Sequence, residues 1–170
     1  MLKKLLTTTA AVLFLCTAVN AQKDGEWRKF KPAGESVTAS FLCTPESSTE
    51  NFSDAGIKIV QSMHACVYDS TYYALTVATL STDPVDARAY LDKYKEGIVK
   101  GFGGEVLSEK AITAAGKAGI ELSIKKDDAM MFARVFSVGP QIVGIMYGRP
   151  SAVSALPSDS TFISSLAFGK

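Results

Sequence analysis

Cys43 and Cys66 stand 23 positions apart, and they are the only cysteines left once the extreme N-terminus is set aside. What precedes them decides their chemistry. The first segment, MLKKLLTTTAAVLFLCTAVNAQ, has Lys3 and Lys4, then an uncharged and mostly apolar stretch from Leu5 to Val19, then Val19-Asn20-Ala21 before Gln22. That is the layout of a secretory signal cleaved between Ala21 and Gln22. As a helix its apolar part would extend about 22 Å, short of the roughly 30 Å of a bilayer core, so it predicts export with no membrane span after cleavage. Cys16 sits in LFLC, which resembles a lipobox, but Leu15 stands where Gly, Ala or Ser is normal. In an oxidising compartment, secreted or periplasmic, two thiols tend to pair.

A hairpin with its loop centred between Asp54 and Ala55 would set Cys43 directly opposite Cys66, near the distance a disulfide accepts. Closing that loop would stabilise the fold by roughly 3 kcal/mol in the chain-entropy treatment. The competing reading is a metal or small-ligand carrier, with Cys43, His64 and Cys66 as ligands on neighbouring strands. The chain has no second histidine, and oxidation would compete for both thiolates. The sequence therefore favours the disulfide, with no metal and no cofactor.

Period-two alternation marks seven strands. The first runs from Val37 to Cys43 and stops at Pro45; ESSTENFSDAG then reads as a polar connection. Strands follow from Ile57 to Tyr68 and from Tyr72 to Leu80, the latter with Tyr73, Leu75 and Val77 on one face. At STDPVDARAYLDKYKEGIVKGFGG the period changes: Ala87, Leu91, Tyr94 and Ile98 share a helical stripe, Asp83 can cap, Pro84 suits the first turn, and Gly101, Gly103 and Gly104 stop it. Four more strands are predicted over 105–112, 119–126, 129–138 and 141–148, the last pair joined by VGPQ. PSDSTFISSLAF begins with a Ser158 or Asp159 start signal and places Phe162, Ile163 and Leu166 at helical spacing. The expectation is an α+β fold, a mainly antiparallel sheet of six to seven strands flanked by helices. The predicted organisation is a signal peptide (1–21), a polar leader (22–35) pinned down by Trp27 and Phe30, and one domain (36–170).

Several stretches, GESVTASFLCTP, AYLDKYKEGIVKGFGGEVLSEKAIT, GKAGIELSI, ARVFSVGPQIVGIMY and FISSLAF, resemble the PsbP-like family. That fold is shared by the extrinsic photosystem subunit, a Ran-binding nuclear import factor and many exported bacterial domains. The resemblance implies an α/β/α sandwich and a binding or accessory role in the envelope or outside the cell. It carries no catalytic signature, so no functional residue transfers with it, and neither the photosynthetic nor the Ran-linked role is carried over.

Losing Lys3 and Lys4 turns 18 basic against 17 acidic residues into 16 against 17. Such a balance supplies no positive field for nucleic acid. Serine is abundant, but no G-x-S-x-G occurs and His64 is the only imidazole. Of the carboxylates that would pair for acid–base work, Asp83 and Asp86 suit a helix start, and Asp127 and Asp128 suit a turn. The glycines of GFGG follow a helix, where a phosphate loop would precede one. Met130, Met131, Met146, Phe132, Phe136 and Tyr147 alternate along paired strands as core residues do, or would line an apolar groove. One of Tyr72 and Tyr73 must point away from its neighbour's face, toward a partner surface. The function read from the sequence is thus an exported, non-enzymatic binding or accessory domain with an envelope or secreted protein partner. An enzyme of unrecognised type, or the carrier above, is the alternative.

Overall fold

The computed structural model describes residues 25–54, 56–82, 86–152 and 157–169. The predicted signal peptide with its Ala21–Gln22 junction, the cap Asp83, Pro84, the loop centre at Ala55 and the side chains of Ala87 and Ser158 lie outside the described residues.

Among the described residues, ten strands and two helices follow one another as β1 (Arg28–Phe30), β2 (Val37–Phe41), β3 (Glu46–Asp54), β4 (Ile57–Tyr68), β5 (Thr71–Leu80), α1 (Ala87–Phe102), β6 (Glu105–Ala114), β7 (Lys117–Lys126), β8 (Ala129–Val138), β9 (Gln141–Pro150), α2 (Pro157–Ser164) and β10 (Ala167–Phe168). Seven form one antiparallel sheet in the order β3-β4-β5-β9-β8-β7-β6, and three form a small second sheet, β1-β2-β10. The architecture is mainly antiparallel, as expected for strands that follow one another with few helical connections.

Alternation also decides which side chains go to which face. On β5, Ala74, Ala78 and Leu80 point to one side with Ile142 and Met146 of β9, meeting Leu91, Ile98 and Phe102 of α1. Tyr73, Leu75 and Val77 point to the other with Val143 and Ile145, meeting Val37, Ala39 and Phe41 of β2 and Phe162 and Ile163 of α2. The helix α1 starts and stops where its chemistry dictates. The Asp86 carboxylate accepts the Arg88 and Ala89 amides at 2.9 and 3.1 Å, and Gly103, at φ 72°, donates its amide to Val99.

Three expectations are corrected. The second face is not covered by helix alone: the small sheet and the eight-residue α2 share it, so the flanking by helices holds on one side and only partly on the other. The strand at Val37 does not pair with the one at Ile57 but leaves for the small sheet, where β1, inside the expected leader, and β10 flank it. Its place in the main sheet is taken by β3, the stretch read as a polar connection. Phe52 is the sole large apolar side chain of β3, so no alternation marks it; its backbone bonds to β4 make it a strand.

Candidate functional site

The two edges of the large sheet are treated differently. At one, β6 breaks register between Val106 and Ser108, leaving Leu107 53 % exposed. Its Glu109 is held by Arg88 and Lys95 of α1, at 3.4 and 3.1 Å. A bulge, mixed charge and a tethered helix are the usual protections of a sheet edge. At the other edge, β3 pairs with β4 through nine consecutive residues, from Glu46↔Ala65 to Asp54↔Ile57, without irregularity. Among the described residues nothing pairs with its outer side.

The helix makes the same asymmetry on the sheet's face. It packs chiefly on β7 and β8, and a cleft of about 80 Å³ remains between it and the β3–β4 end. Phe52 and Ile59 floor the cleft, Tyr90 walls it, and Lys93 crosses the mouth 3.8 Å from Asp54 with its ammonium 5.4 Å over the Tyr90 ring. Gln61, 8 % exposed, lines it as a polar residue among mostly apolar neighbours.

On the opposite face, the start of β3 is fastened to β4. The Cys43 and Cys66 sulfurs are 2.05 Å apart, disulfide distance, although Cys43 precedes β3 and is not in the expected hairpin register. The reason is a loop centre one residue later than expected, with Asp54 opposite Ile57. Next to this pair the Ser47 hydroxyl and His64 Nδ1 share a 2.7 Å hydrogen bond. His64 is buried, its Nε2 has no partner among the described residues, and the Phe30 ring lies 5.2 Å away. Burial lowers its pKa, which favours the neutral imidazole.

The sequence-derived candidates fall as follows. Cys43, His64 and Cys66 are neighbours, but sulfurs at bonding distance offer no thiolates, and among the described residues no three His, Cys, Asp or Glu side chains converge as a metal site would require. Asp86 is the α1 cap; Asp127, at φ 49°, and Asp128 turn the chain between β7 and β8. Gly103 ends α1, and Gly101 lies within its last turn. Met131, Met146 and Phe136 are buried, while Phe132 and Tyr147, half-buried, stack with centroids 5.5 Å apart. Tyr73 is buried, its hydroxyl donating to Asp159 at 3.4 Å; Tyr72 faces the α1 side, half-buried, with its hydroxyl 3.5 Å from the Met63 sulfur. Trp27 meets Tyr73 edge-on at 6.3 Å, and Phe30 meets Phe41 at 5.7 Å, so both anchor the N-terminal segment as expected.

Two features escaped the sequence. One is the ion pair Arg149–Asp159, 2.9 Å, with side chains 12 % and 2 % exposed. Nothing local signals it, because β9 and α2 meet only in three dimensions. The other is the β3 edge, whose one legible trace was the spacing of Glu46, Glu50 and Asp54 at four-residue intervals.

No protein-family model matches the chain, and no curated protein matches it in sequence. Among solved structures it is similar to the cyanobacterial PsbP (CyanoP) of Synechocystis sp. PCC 6803, determined in solution, with a TM-score of 0.58 and 9 % identity over 91 % of this chain and 98 % of that one. At that identity the likeness speaks for the fold, and the chain has a PsbP-like fold.

Proposed function

We propose that the chain is an exported, non-enzymatic binding or accessory domain, akin to the exported bacterial PsbP-like proteins, secreted or periplasmic after cleavage at Ala21–Gln22. In this reading Cys43 and Cys66 are bonded, no cofactor is needed, and the partner is another envelope or secreted protein. The observation that carries it is the contrast between the two sheet edges: β6 is bulged and tethered, whereas β3 is regular, unpaired on its outer side among the described residues, and flanked by an apolar cleft. A protein that needs only to stay soluble blunts both edges; one that docks a partner keeps one open.

The test is to express the full chain in a bacterial host, locate it by fractionation and sequence its N-terminus. Purification from the envelope fraction under native conditions then asks what comes with it. A mature N-terminus at Gln22 outside the cytoplasm, with a reproducible protein partner, supports the proposal. Retention in the cytoplasm, or turnover lost on replacing His64, would reject it.

A further inference from the structure

The strand β3 is one that its own residues would not choose. Glu, Ser, Asn and Asp dominate it, all weak strand formers apart from the lone Thr49 and Phe52. Sequences depart from local preference where function takes precedence. This strand is also set in place before any partner arrives: the Cys43–Cys66 pair fastens its approach, the turn to Ile57 fastens its end, and its pairing is unbroken between them. Lysine, proline and a bulge are missing from it, and its acidic side chains are the one guard it carries.

Its charges carry more specific information. Glu46, Glu50 and Asp54 are separated by even intervals, so all three lie on the α1 side together with Phe52, and the strand contains no basic residue. Antiparallel pairing with a second copy, centred on Glu50, would set Glu50 against Glu50, while Glu46 would face Asp54, whose charge Lys93 already offsets from 3.8 Å. Like charges directly opposite are destabilising, so the edge disfavours its own copy and fits a strand of opposite charge. Gln61, the cross-strand partner of Glu50, lines the cleft on the same face.

We infer that β3 is a strand-addition site for an extended, basic segment of a partner protein, with Lys or Arg opposite Glu46, Glu50 and Asp54 and an apolar residue opposite Phe52. This rests on the binding-module reading above and names the kind of partner. Main-chain hydrogen bonds to the open edge supply affinity, and the alternating side chains fix the register. An apolar residue opposite Phe52 prolongs the row Phe52–Ile59–Leu80 by one strand. A basic side chain opposite Glu50 lies on the same face as Gln61, whose carboxamide oxygen can accept from it.

The experiment titrates two synthetic nine-residue peptides into the purified protein, followed by amide NMR shifts and hydrogen exchange. One has Lys at its first, fifth and ninth positions, Val at the third and Thr elsewhere; the other has Glu in place of Lys. Shift changes and slowed exchange centred on Glu46–Asp54 with the basic peptide alone are expected, and binding should weaken as salt is raised. Glu50→Lys should weaken binding about five- to tenfold, with Glu50→Gln intermediate and serving if the reversal perturbs folding. Equal binding of both peptides, changes centred on β6 or elsewhere, no binding, or protection of β3 by self-association without peptide would each overturn the inference. A partner recovered from the envelope that binds the Glu50→Lys protein undiminished would also overturn it while leaving the binding-module reading intact.

Discussion

Cys43 and Cys66 approach with Cα atoms 6.1 Å apart without being cross-strand partners: the β3–β4 register, continued back from Glu46↔Ala65, would bring Cys43 to Tyr68. The pair therefore joins the segment between β2 and β3 to β4, and so ties the small sheet's chain to the large sheet. Its position matters as much as its strength.

Reduction, or the double replacement Cys43→Ser with Cys66→Ser, should lower stability by roughly 3 kcal/mol, the value expected for a loop of this size. Denaturant midpoints with and without reductant measure it. Because the link sits at the start of β3, hydrogen exchange should quicken first at Glu46 to Thr49 and least at β8 and β9. Uniform loss of protection would show that the pair does not hold the edge.

His64 makes stability pH-dependent. Burial holds its pKa below the ordinary 6.5, so the unfolded chain takes up this proton at a higher pH than the folded one. The stabilisation is present above about pH 6.5 and is lost as pH falls through the folded value. His64→Gln, which can keep the bond to Ser47 but does not titrate, should flatten the stability slope between about pH 7 and about pH 5. An unchanged slope would place the titration elsewhere.

Asp159→Ala should be among the most damaging single changes in the molecule. It leaves the Arg149 guanidinium, 12 % exposed, without the carboxylate 2.9 Å away. Removing one partner of a buried pair costs about 3–5 kcal/mol. Urea unfolding of the variant measures it, and a loss under about 1 kcal/mol would mean that solvent reaches the pair and screens it.

The hydroxyl of Tyr94 donates to Thr76 Oγ1 at 2.9 Å, and Thr76 in turn donates to the Gly144 carbonyl at 3.3 Å, so helix and sheet are joined by one short polar chain. Tyr94→Phe should cost about 0.5–1.5 kcal/mol. Gly144→Ala should cost more, since a Cβ there would stand 2.6 Å from Thr76 Oγ1. Comparing the two by thermal unfolding checks the order, and a reversed order would put the strain elsewhere.

What was legible follows from how each element is held. Strands β7 and β8 bury roughly alternate residues, β9 is an apolar run buried from Ile142 to Met146, and α1 carries its cap, stripe and glycine stop in its own residues, so pattern sufficed for all four. The strands β1 and β10, three and two residues long, are too short to show a period and exist because β2 offers them backbone partners. The polar β3 has no buried face to announce it. The place where hydrophobic pattern was silent is the place where the backbone itself is on offer, which is why the candidate site was the least visible part of the chain.

The most direct test of a docking edge is photo-crosslinking from a single photoreactive residue in bacteria expressing the full chain, placed at Ser48 on β3 or at Ser108 on β6, both exposed. A docking edge at β3 gives a discrete protein adduct from Ser48, lost when Glu50 is replaced by Lys, and none from Ser108. An adduct from Ser108 alone, or one from Ser48 indifferent to the charge of residue 50, would contradict it.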